Sequence, residues 1–458
     1  MALLGIDIGS TAMKAAAFDE GGRQVGAVRL EYRKPVQGAD DWWRFAARAV
    51  RLLLRGHDGL GPRVRAVGLS GRGGTRVFLD RGGRPVPVPA SLTPSPEAQQ
   101  RVIELAGSRR GGHGIRFLAS LLQFRQEQPH EWPRVARAMV AKDYVVFQLT
   151  GYAVTDPASS LDVEDWPPAV RTAPEFEGVL LPEVRWPWQA AGRLRTPVAA
   201  ALGLPPGIPV ATGAHDGVAA AVGAGAAFEG AHPVTLGTNA VYRILSNDVA
   251  GAKSRFWTVL PGLTAYGADV TLGGYAADWI AGLLGGSHER LSGEASRVPP
   301  GSEGVVFLPQ MGGRILPEPN PGAAGAFAGL RRGTRPAHMY RAVLEGNAFA
   351  LRAAREALLG QGLPDGDIYL TGGGSRSPLW RAILAGTFAR PVRWTGVEEG
   401  CRGGAIFAGV AAGTWRDVPE AVRAMTGKPH VLEPGDDIAA YDAAYERFVR
   451  VRRALDHA

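Results

Sequence analysis

The sequence predicts an α/β protein made of two lobes of similar design. The chain has 458 residues, which exceeds the common size of a single domain, about 100 to 150 residues. Short β-type runs alternate with helical stretches, an order typical of mixed sheets flanked by helices. A strand, a glycine turn and a second strand occur at the start of the chain and again at its middle, which indicates an internal duplication.

The first of these hairpins lies in LLGIDIGSTAMKAAAFDEGGR and the second in VTLGTNAVYRILSND, which starts at residue 234. Each has an apolar strand, a tight turn and another strand, the turns being Gly9-Ser10-Thr11 and Gly237-Thr238-Asn239. We therefore expect a first lobe at 1–230 and a second at 231–458. A ligand is expected in a cleft between the lobes.

A turn of glycine followed by serine or threonine offers backbone N–H groups and hydroxyls to phosphate oxygens. One interpretation is that each turn binds part of a phosphate chain, through Gly9, Ser10, Thr11 and Lys14 in the first hairpin and Gly237 and Thr238 in the second. The alternative is that both turns only connect strands, which is the commoner role. The occurrence of two such turns half a chain apart favours phosphate binding.

A single carboxylate, Asp7, ends the otherwise apolar run LLGIDI. Burying a carboxylate is costly unless it is paired, so Asp7 needs a partner. One interpretation is a strand-end Asp bonded to the amides of the turn. The other is a direct or indirect contact to Mg²⁺, the metal that phosphate transfer requires.

A third glycine-rich turn follows a predicted strand in IYLTGGGSRSPLWRAILAGTF, residues 368–388. Gly372, Gly373 and Gly374 precede a helix that Ser377 is expected to cap, with Pro378 in its first turn. The turn lacks GxGxxG spacing, and no GxxxxGK[ST] motif occurs in the chain. This helix start is predicted either to accept an adenine and ribose or to be a plain strand-to-helix turn.

Composition excludes several classes of protein. The chain is 45% hydrophobic and 21% charged, as expected of a globular protein, and its one cysteine excludes a disulfide framework or multi-cysteine zinc site. The net charge of +8 comes from dispersed arginines, which predicts attraction of an anionic small substrate and no nucleic-acid partner. No apolar run reaches the ~20 residues of a membrane span, and the first is too short for a signal peptide. A cytoplasmic setting is expected.

The stretch GAHDGVAAAVGAG, residues 213–225, contains one acid, Asp216, at the start of a predicted helix of small residues. Taken alone, Asp216 is equally well explained as a helix N-cap. For the neighbouring His215, a role as a cleft-wall or structural residue is favoured over a catalytic role. Similarly plain interpretations apply to His113 as a polar loop residue, to Trp42-Trp43 as one face of an amphipathic helix, and to Cys401 as a packing residue of its helix.

A series of stretches resembles the FGGY family of carbohydrate kinases, and most closely its xylulokinase branch. These stretches cover nearly the whole chain. They are IDIGST at 6–11, AVGLSG at 66–71, AKDYVVFQLTG at 141–151, GAHDGVAAAVG at 213–223, VTLGTNA at 234–240, PGAAGAFAGL with MYRAVLEGNAFALR between 321 and 352, LTGGGSRSPLW at 370–380 and GCRGGAIFAGVAAG at 400–413.

The resemblance implies an α/β fold of two actin-like (ribonuclease H-like) ATPase lobes with an active-site cleft between them. It implies an ATP-dependent kinase that uses Mg²⁺ and transfers the γ-phosphate to a hydroxyl of a sugar or polyol, with Asp216 as the base that accepts the hydroxyl proton. A homodimer is possible, since xylulokinase-like proteins are often dimers. The cofactor-binding residues expected in all are Asp7 (also for the metal), Gly9, Ser10, Thr11, Lys14, Gly237, Thr238, Gly274, Asp278, Gly372, Gly373, Gly374 and Ser377.

The sugar side departs from the family pattern. Where relatives carry sugar-contacting side chains after AVGLSG, this chain reads Gly71-Arg72-Gly73-Gly74, and two further sugar-side segments also differ. Gly73, Gly74 and His215 are therefore the substrate-side candidates, and the glycines are expected to enlarge the pocket for an acceptor other than D-xylulose. A sensor or scaffold that binds nucleotide without kinase activity is the alternative. An ATPase that activates a partner enzyme through a cysteine-ligated cluster is disfavoured by the single cysteine.

Overall fold

The computed structural model describes residues 1–32, 38–108, 111–247 and 249–456. The chain forms two compact units, each assembled from three segments. The first unit contains Met1–Ala227, Phe256–Pro261 and Val397–Gly427, and the second contains Phe228–Arg255, Gly262–Gly396 and Lys428–Ala458. The first break in the chain therefore lies close to the division predicted at 230, while the segment at 397–427 returns to the first unit.

The secondary structure alternates strands and helices throughout the described residues. The strands are β1 Ala2–Ile8, β2 Ala12–Phe18, β3 Gln24–Glu31, β4 Val64–Gly71, β5 Val77–Leu79, β6 Pro85–Val86, β7 Arg137–Met139, β8 Val154–Thr155, β9 Glu183–Val184, β10 Ala190–Arg193, β11 Pro209–Ala211, β12 Ala214–His215, β13 His232–Leu236, β14 Ala240–Ser246, β15 Arg255–Leu260, β16 Leu263–Thr271, β17 Val306–Leu308, β18 Ala326–Ala328, β19 Ile368–Thr371, β20 Val392–Trp394 and β21 His430–Leu432. The α-helices are α1 Ala39–Arg55, α2 Pro96–Ala106, α3 Gly112–Glu127, α4 Ala141–Thr150, α5 Pro168–Arg171, α6 Thr196–Leu202, α7 Asp216–Ala224, α8 Gly273–Leu283, α9 His288–Ala295, α10 Pro336–Leu359, α11 Pro378–Phe388, α12 Glu399–Ala411, α13 Val418–Thr426 and α14 Ile438–Asp456.

The main sheet of the first unit has the strand order β10-β11-β4-β1-β2-β3, and β12 also pairs with β4. β1 and β2 form the first predicted hairpin, and β4 runs parallel to β1 on its other side. All seven residues of β1 are buried, which explains a sequence that is apolar apart from Asp7. Asp7 consequently lies near the carboxyl end of a central strand.

The main sheet of the second unit repeats the same pairing scheme. Its order includes β16-β14-β13-β19-β20-β21, with the hairpin β13–β14 antiparallel and β19 parallel to β13. β20 then runs parallel to β19 and β21 antiparallel to β20, as β11 runs parallel to β4 and β10 antiparallel to β11. The predicted internal duplication and the mixed sheets flanked by helices are confirmed.

Helix α12 enters the core of the first unit because small residues let its backbone approach closely. A side chain at Gly403 would overlap the carbonyl of Ala219 on α7, and one at Gly404 would lie 3.0 Å from the carbonyl oxygen of Gly68 on β4. Cys401 is buried in this helix, as expected. The close packing carries residues from the far end of the sequence to the ends of β1 and β4.

The remaining helix predictions are also confirmed. Trp42 and Trp43 lie on α1 and pack against the core of the first unit, as expected of an amphipathic helix. The helix predicted after the third glycine turn is α11, and the Oγ of Ser377 accepts a 3.3 Å hydrogen bond from the N–H of Trp380. Within the described residues, no helix has the length and apolarity that a membrane crossing requires.

Candidate active site

The carboxyl ends of three adjacent strands bring together the first group of polar residues. Asp7 on β1 lies beside Ser70 on β4, and Ser70 lies beside Ala214 on β12. The Ser70 hydroxyl donates a 2.8 Å hydrogen bond to Oδ1 of Asp7. Both residues are buried, so this bond satisfies an oxygen whose burial would otherwise be costly. Ser70 is thus a functional candidate that the sequence did not single out.

Lys14 connects Asp7 to a second carboxylate. Its Nζ lies 3.3 Å from Oδ2 of Asp7 and 3.0 Å from Oε2 of Glu398. Burial raises the pKa of the Asp7 carboxyl, and the charge of Lys14 and the bond from Ser70 offset this only in part. Burial lowers the pKa of Lys14, but the two carboxylates outweigh it and raise that pKa overall. Lys14 therefore stays a cation at the end of the first hairpin.

Glu398 is a residue that sequence reasoning missed. It is the N-cap residue of α12, and the next residue but one, Gly400, lies against the Asp7 carboxylate. A side chain at Gly400 would place its Cβ 2.9 Å from Cγ of Asp7. The two adjacent acids Glu398-Glu399 just before a glycine-rich helix were the available signal, because acids favour helix starts. Their meeting with Lys14 depends on the packing of α12.

The first hairpin turn leaves its hydroxyl groups accessible. The N–H of Gly9 bonds to the carbonyl of Ala12 at 3.1 Å, which closes the turn, while Ser10 and Thr11 are exposed. A Cβ at Gly9 would lie 3.0 Å from the Ala12 carbonyl oxygen. The turn is therefore tight at its glycine and open at the two residues predicted to meet phosphate.

Asp216 begins α7, as predicted, but it is not the helix cap. The cap is His215, whose Nδ1 accepts a 3.1 Å hydrogen bond from the N–H of Gly217. Because Nδ1 accepts this bond, the neutral His215 carries its proton on Nε2. Oδ1 of Asp216 lies 3.3 Å from Nδ1 of His215, and 42% of the Asp216 side chain is exposed. The N-cap interpretation of Asp216 is wrong, and its carboxylate is accessible to solvent.

His215 belongs to an aromatic group with His113 and Trp257. The His113 and His215 rings lie 4.3 Å apart between centroids, and His215 and Trp257 lie 4.7 Å apart. His113 is in the first turn of α3, not in a loop as expected, because α3 already begins at Gly112. The aromatic group lies next to Asp216, because its member His215 contacts the Asp216 carboxylate.

The aromatic group also corrects the prediction for Gly73 and Gly74. A Cβ at Gly73 would lie 2.8 Å from atoms of both His113 and His215, so the two imidazoles fill the space of the missing side chain. Gly74 has φ +72°, and no atom of the described residues lies within 4 Å of a Cβ added there. Open space beside the loop is therefore found at Gly74 and not at Gly73.

In the second unit, the hairpin turn packs against the start of α8. The N–H of Gly274 donates a 2.9 Å hydrogen bond to the carbonyl of Gly237, and that of Tyr275 bonds to the carbonyl of Thr238 at 3.2 Å. A side chain at Gly274 would overlap the Gly237 carbonyl, which explains the glycine. Three predicted residues, Gly237, Thr238 and Gly274, are thus brought together.

Beneath this turn lies a polar cluster that resembles the one around Asp7. Thr235 precedes Gly237 by two residues, as Asp7 precedes Gly9, and pairs with Thr371 on β19 as Asp7 pairs with Ser70 on β4. The two threonine hydroxyls are 3.1 Å apart, and Arg243 donates a 3.0 Å hydrogen bond to Oγ1 of Thr235. The duplicated position is therefore acidic in the first unit and neutral in the second.

The third glycine turn joins β19 to α11. Gly372 has φ +83°, a conformation that favours glycine, and a Cβ at Gly374 would lie 2.6 Å from the Trp380 ring. At Gly373, no atom in the described part of the chain lies within 4 Å of an added Cβ, so its face of the turn is open. The Arg381 guanidinium bonds to the Ser375 carbonyl at 2.7 Å and stacks 4.2 Å above the Trp394 ring. An open backbone face beside a helix start suits a flat ligand.

Asp278 lies on the exposed side of α8. Its Oδ1 is 2.8 Å from Nε2 of His288, whose Nδ1 is 2.8 Å from the hydroxyl of Tyr340. The Asp278 side chain is 75% exposed. Its local partners are thus His288 and, through it, Tyr340.

Comparisons with known proteins agree with these features. The N-terminal domain model of the FGGY family of carbohydrate kinases matches residues 2–223, and the C-terminal domain model matches residues 235–412. A xylulose kinase of Escherichia coli (strain K12) is 28% identical over 495 residues, covering 99% of each chain. A gluconokinase of Bacillus licheniformis is 25% identical, covering 99% of this chain and 96% of that protein.

Among solved structures, a xyloylose kinase from Brucella ovis superposes with a TM-score of 0.84 at 25% identity, covering 100% of both chains. The two-lobe actin-like ATPase fold expected from the sequence is therefore confirmed. Nothing in these similarities favours a sensor or scaffold without kinase activity. The chain belongs to the FGGY family of carbohydrate kinases, and it is an ATP-dependent sugar kinase.

Proposed function

We propose that Asp216 is the catalytic base and that the acceptor is a small sugar or polyol. The observation that carries this proposal is an accessible carboxylate at the start of α7, one residue beyond the strand that pairs with Ser70. Asp216 accepts the proton of the acceptor hydroxyl while the oxygen of that hydroxyl forms a bond to the γ-phosphorus of ATP. The bond from that phosphorus to the β,γ-bridging oxygen breaks, and ADP leaves.

Lys14 and the two hairpin turns are proposed to bind the phosphates. Lys14 is a cation held by Asp7 and Glu398, so it offers positive charge to phosphate oxygens without losing its position. Ser10 and Thr11 of the first unit, and Gly237 and Thr238 of the second, offer hydroxyl and N–H donors. Because the transition state spreads charge over phosphate oxygens, fixed donors supply most of the rate enhancement.

Mg²⁺ is proposed to bind with Asp7 and the phosphates of ATP. In the described residues, no group of three or more His, Cys, Asp or Glu side chains could enclose a metal ion. Mg²⁺ commonly keeps several waters and uses one or two carboxylates plus phosphates, so Asp7, already bonded to Ser70, fits as a contact through water. When bound, the ion neutralises charge on the β- and γ-phosphates.

The nucleoside of ATP is proposed to lie against the glycine turn of the second unit. Gly373 offers an open backbone face, Gly372 and Gly374 shape the turn, and Ser377 caps the helix that follows. Asp278 is proposed to lie along the nucleotide path as a residue held by His288. Support for these roles is the proximity of Gly274 to Gly237, which joins the start of α8 to the phosphate turn.

The acceptor is proposed to be of the size that xylulose kinases and gluconokinases phosphorylate, in a pocket with altered walls. Gly74 leaves open space, whereas the aromatic group of His113, His215 and Trp257 fills the neighbouring position. An aromatic surface beside the base favours an acceptor with an apolar face of C–H groups. His215 and Gly74 are thus the substrate-side residues that we retain.

The test is ADP release from ATP with a panel of ketoses, aldonates and polyols, D-xylulose and gluconate among them. With the best acceptor, Asp216→Ala is expected to lower kcat by about 10²- to 10⁴-fold, because general-base catalysis contributes this much. Asp58→Ala, at an exposed acid on another part of the first unit, is the matched control and should leave kcat unchanged. Undiminished turnover by Asp216→Ala would remove Asp216 from the role of base.

Three further expectations stand as proposals of the same kind. We propose that the protein is cytoplasmic, since ATP is plentiful in the cytoplasm. We also propose that it is a homodimer in solution and that it has no nucleic-acid partner. Light scattering after size-exclusion chromatography measures the oligomeric state. Filter binding with a random-sequence DNA at physiological salt tests the last point, and micromolar or tighter binding would contradict it.

A further inference from the structure

A fully buried ion cluster lies behind the strand that leads to Asp216. The ammonium of Lys142 is 2.6 Å from Oδ1 of Asp143 and 3.2 Å from Oδ1 of Asp156. All three residues are at most 1% exposed. Replacing buried ion pairs by apolar residues is often neutral or stabilising, so stability alone is a weak reason for such a cluster.

The cluster is bonded to both ends of the segment that precedes Asp216. Lys142 donates a 3.1 Å hydrogen bond to the carbonyl of Thr212. Oδ2 of Asp156 accepts a 3.1 Å hydrogen bond from the backbone N–H of His215. Asp143, by contrast, contacts Lys142 without a hydrogen bond to residues 212–216 among the described contacts. The segment is therefore held at Thr212 and at His215 by two members of one cluster.

The held segment has an unusual backbone. Its first two residues are also bonded to another loop, through the N–H groups of Thr212 and Gly213 and the carbonyls of Gln189 and Pro187. Gly213 has φ +72°, and a side chain there would overlap the carbonyl of Leu69 on β4. β12 that follows has only two residues, Ala214 and His215, paired with β4. A two-residue strand is a weak anchor, so the cluster adds one fixed point before the strand, at Thr212, and one within it, at His215.

We infer that Asp156, together with Lys142, positions the catalytic base of this kinase by fixing the backbone of residues 212–215. This inference rests on the proposed role of Asp216. The side chain of Asp216 extends from the residue directly after His215, so a shift of the His215 N–H displaces the carboxylate from the acceptor hydroxyl. A displacement of about 1 Å at a reacting group costs about 100-fold in rate.

The experiment compares Asp156→Ala with Asp143→Ala in the full-length protein. Each variant removes one carboxylate from Lys142 and leaves one, so both end with a neutral buried pair. Asp156→Ala also removes the acceptor of the His215 N–H, which Asp143→Ala leaves in place. We expect Asp156→Ala to lower kcat by about 30- to 100-fold with the KM for ATP unchanged, and Asp143→Ala to lower kcat by less than about threefold.

Asp156→Asn tests the same bond without the charge, because its amide oxygen can still accept from the His215 N–H. It should recover most of the kcat that Asp156→Ala loses. Equal losses of kcat in Asp156→Ala and Asp143→Ala, or full kcat in Asp156→Ala, would overturn the inference.

Hydrogen–deuterium exchange supplies a readout that requires no acceptor. Asp156→Ala is expected to lose amide protection at residues 214–218, and Asp143→Ala to retain it at matched melting temperature. Unchanged protection in Asp156→Ala would overturn the inference even if kcat falls. Failure of Asp216 as the base would show separately, as full turnover by Asp216→Ala with the exchange pattern of Asp156→Ala unaffected.

Discussion

At the residue scale, the site depends on which side chains satisfy each buried charge. Asp7 is bonded to Ser70 and lies beside Lys14, so the carboxylate is held by side chains, while the turn of Gly9 closes on the carbonyl of Ala12. The interpretation of Asp7 as a strand-end acid bonded to the amides of the turn therefore differs from the structure, in which Ser70 and Lys14 are its partners. The cost of breaking such a bond is large because the freed oxygen stays buried.

Ser70→Ala is expected to destabilise the first unit by about 1 to 3 kcal/mol, because an oxygen of buried Asp7 loses its hydrogen-bond donor. The measurement is the unfolding transition of the first unit in urea, followed by tryptophan fluorescence. Ser91→Ala, at an exposed serine, serves as control. A loss equal to that of Ser91→Ala would show that the Ser70–Asp7 bond contributes nothing.

Gly73→Ala is expected to be destabilising by about 1 to 3 kcal/mol, since a Cβ there meets the His113 and His215 imidazoles and overpacks the aromatic group. Thermal unfolding compares it with Gly112→Ala, where an added Cβ has nothing within 4 Å. A variant as stable as Gly112→Ala would mean that the two rings shift at no cost.

At the element scale, the two main sheets use one design twice. In each sheet, the first strand of the hairpin pairs in parallel with the strand on its other side, which is β4 in the first sheet and β19 in the second. The glycine turn of the hairpin lies at the carboxyl end of that first strand. The charge at the duplicated position differs, with Asp7 in the first sheet and Thr235 in the second. One design therefore provides a carboxylate in one unit and only hydroxyls in the other.

Gly403→Ala tests the close approach of α12 to α7. The added methyl would overlap the Ala219 carbonyl, so the helices must separate, and we expect a loss of about 1 to 3 kcal/mol. Because α12 also carries Glu398, the KM for ATP should rise. In Gly293→Ala on α9, where nothing lies within 4 Å of the new Cβ, a gain of about 0.5 to 1 kcal/mol is expected. Similar unfolding curves for the two variants would refute the packing argument.

His232, at the start of β13, predicts a dependence of stability on pH. It is buried between the hydroxyl of Tyr242, 2.9 Å away, and the carbonyl of Pro364, 3.0 Å away. Burial lowers the pKa of His232 from its ordinary 6.5 to about 4, so the folded protein keeps the ring neutral. The stability that depends on a neutral His232 is complete above pH 6.5. It is lost as the pH falls towards 4, because the ring takes up a proton in the unfolded chain but not in the folded one.

Between pH 7.5 and 5, His232 is expected to cost the second unit about 2 kcal/mol of stability, and His232→Gln should remove that part of the slope. Denaturant unfolding at both pH values measures it, with His130→Gln at an exposed histidine as control. An unchanged slope in His232→Gln would contradict the assignment.

At the scale of the whole molecule, the net charge of +8 is expected to attract the anionic ATP. We expect kcat/KM for ATP to fall by about 2- to 10-fold between 50 and 300 mM KCl, because salt screens long-range attraction. The kcat/KM of an uncharged sugar at saturating ATP should change much less, which provides the internal control. Equal salt dependence for both substrates would indicate that the charge does not steer ATP.

Much of the fold could be predicted because its signals are local. The hairpins around Gly9 and Gly237, the cap at Ser377 and the helix beginning at Asp216 each depend on a few consecutive residues. The family resemblance then extended these signals to a kinase, and the family models confirm that result. The individual site residues stay predictions, with the variants above as their tests.

Strand periodicity, turns and motifs depend on neighbouring residues, and they were enough to establish the duplicated α/β design, the family and the helix that begins at Asp216. Four contacts became visible only in the folded chain: Glu398 pairs with Lys14, His215 caps α7, two imidazoles fill the space at Gly73, and Asp156 accepts a hydrogen bond from the His215 N–H. These contacts join residues far apart in the chain or depend on side-chain direction. They are set by close packing of whole elements, which no local pattern encodes.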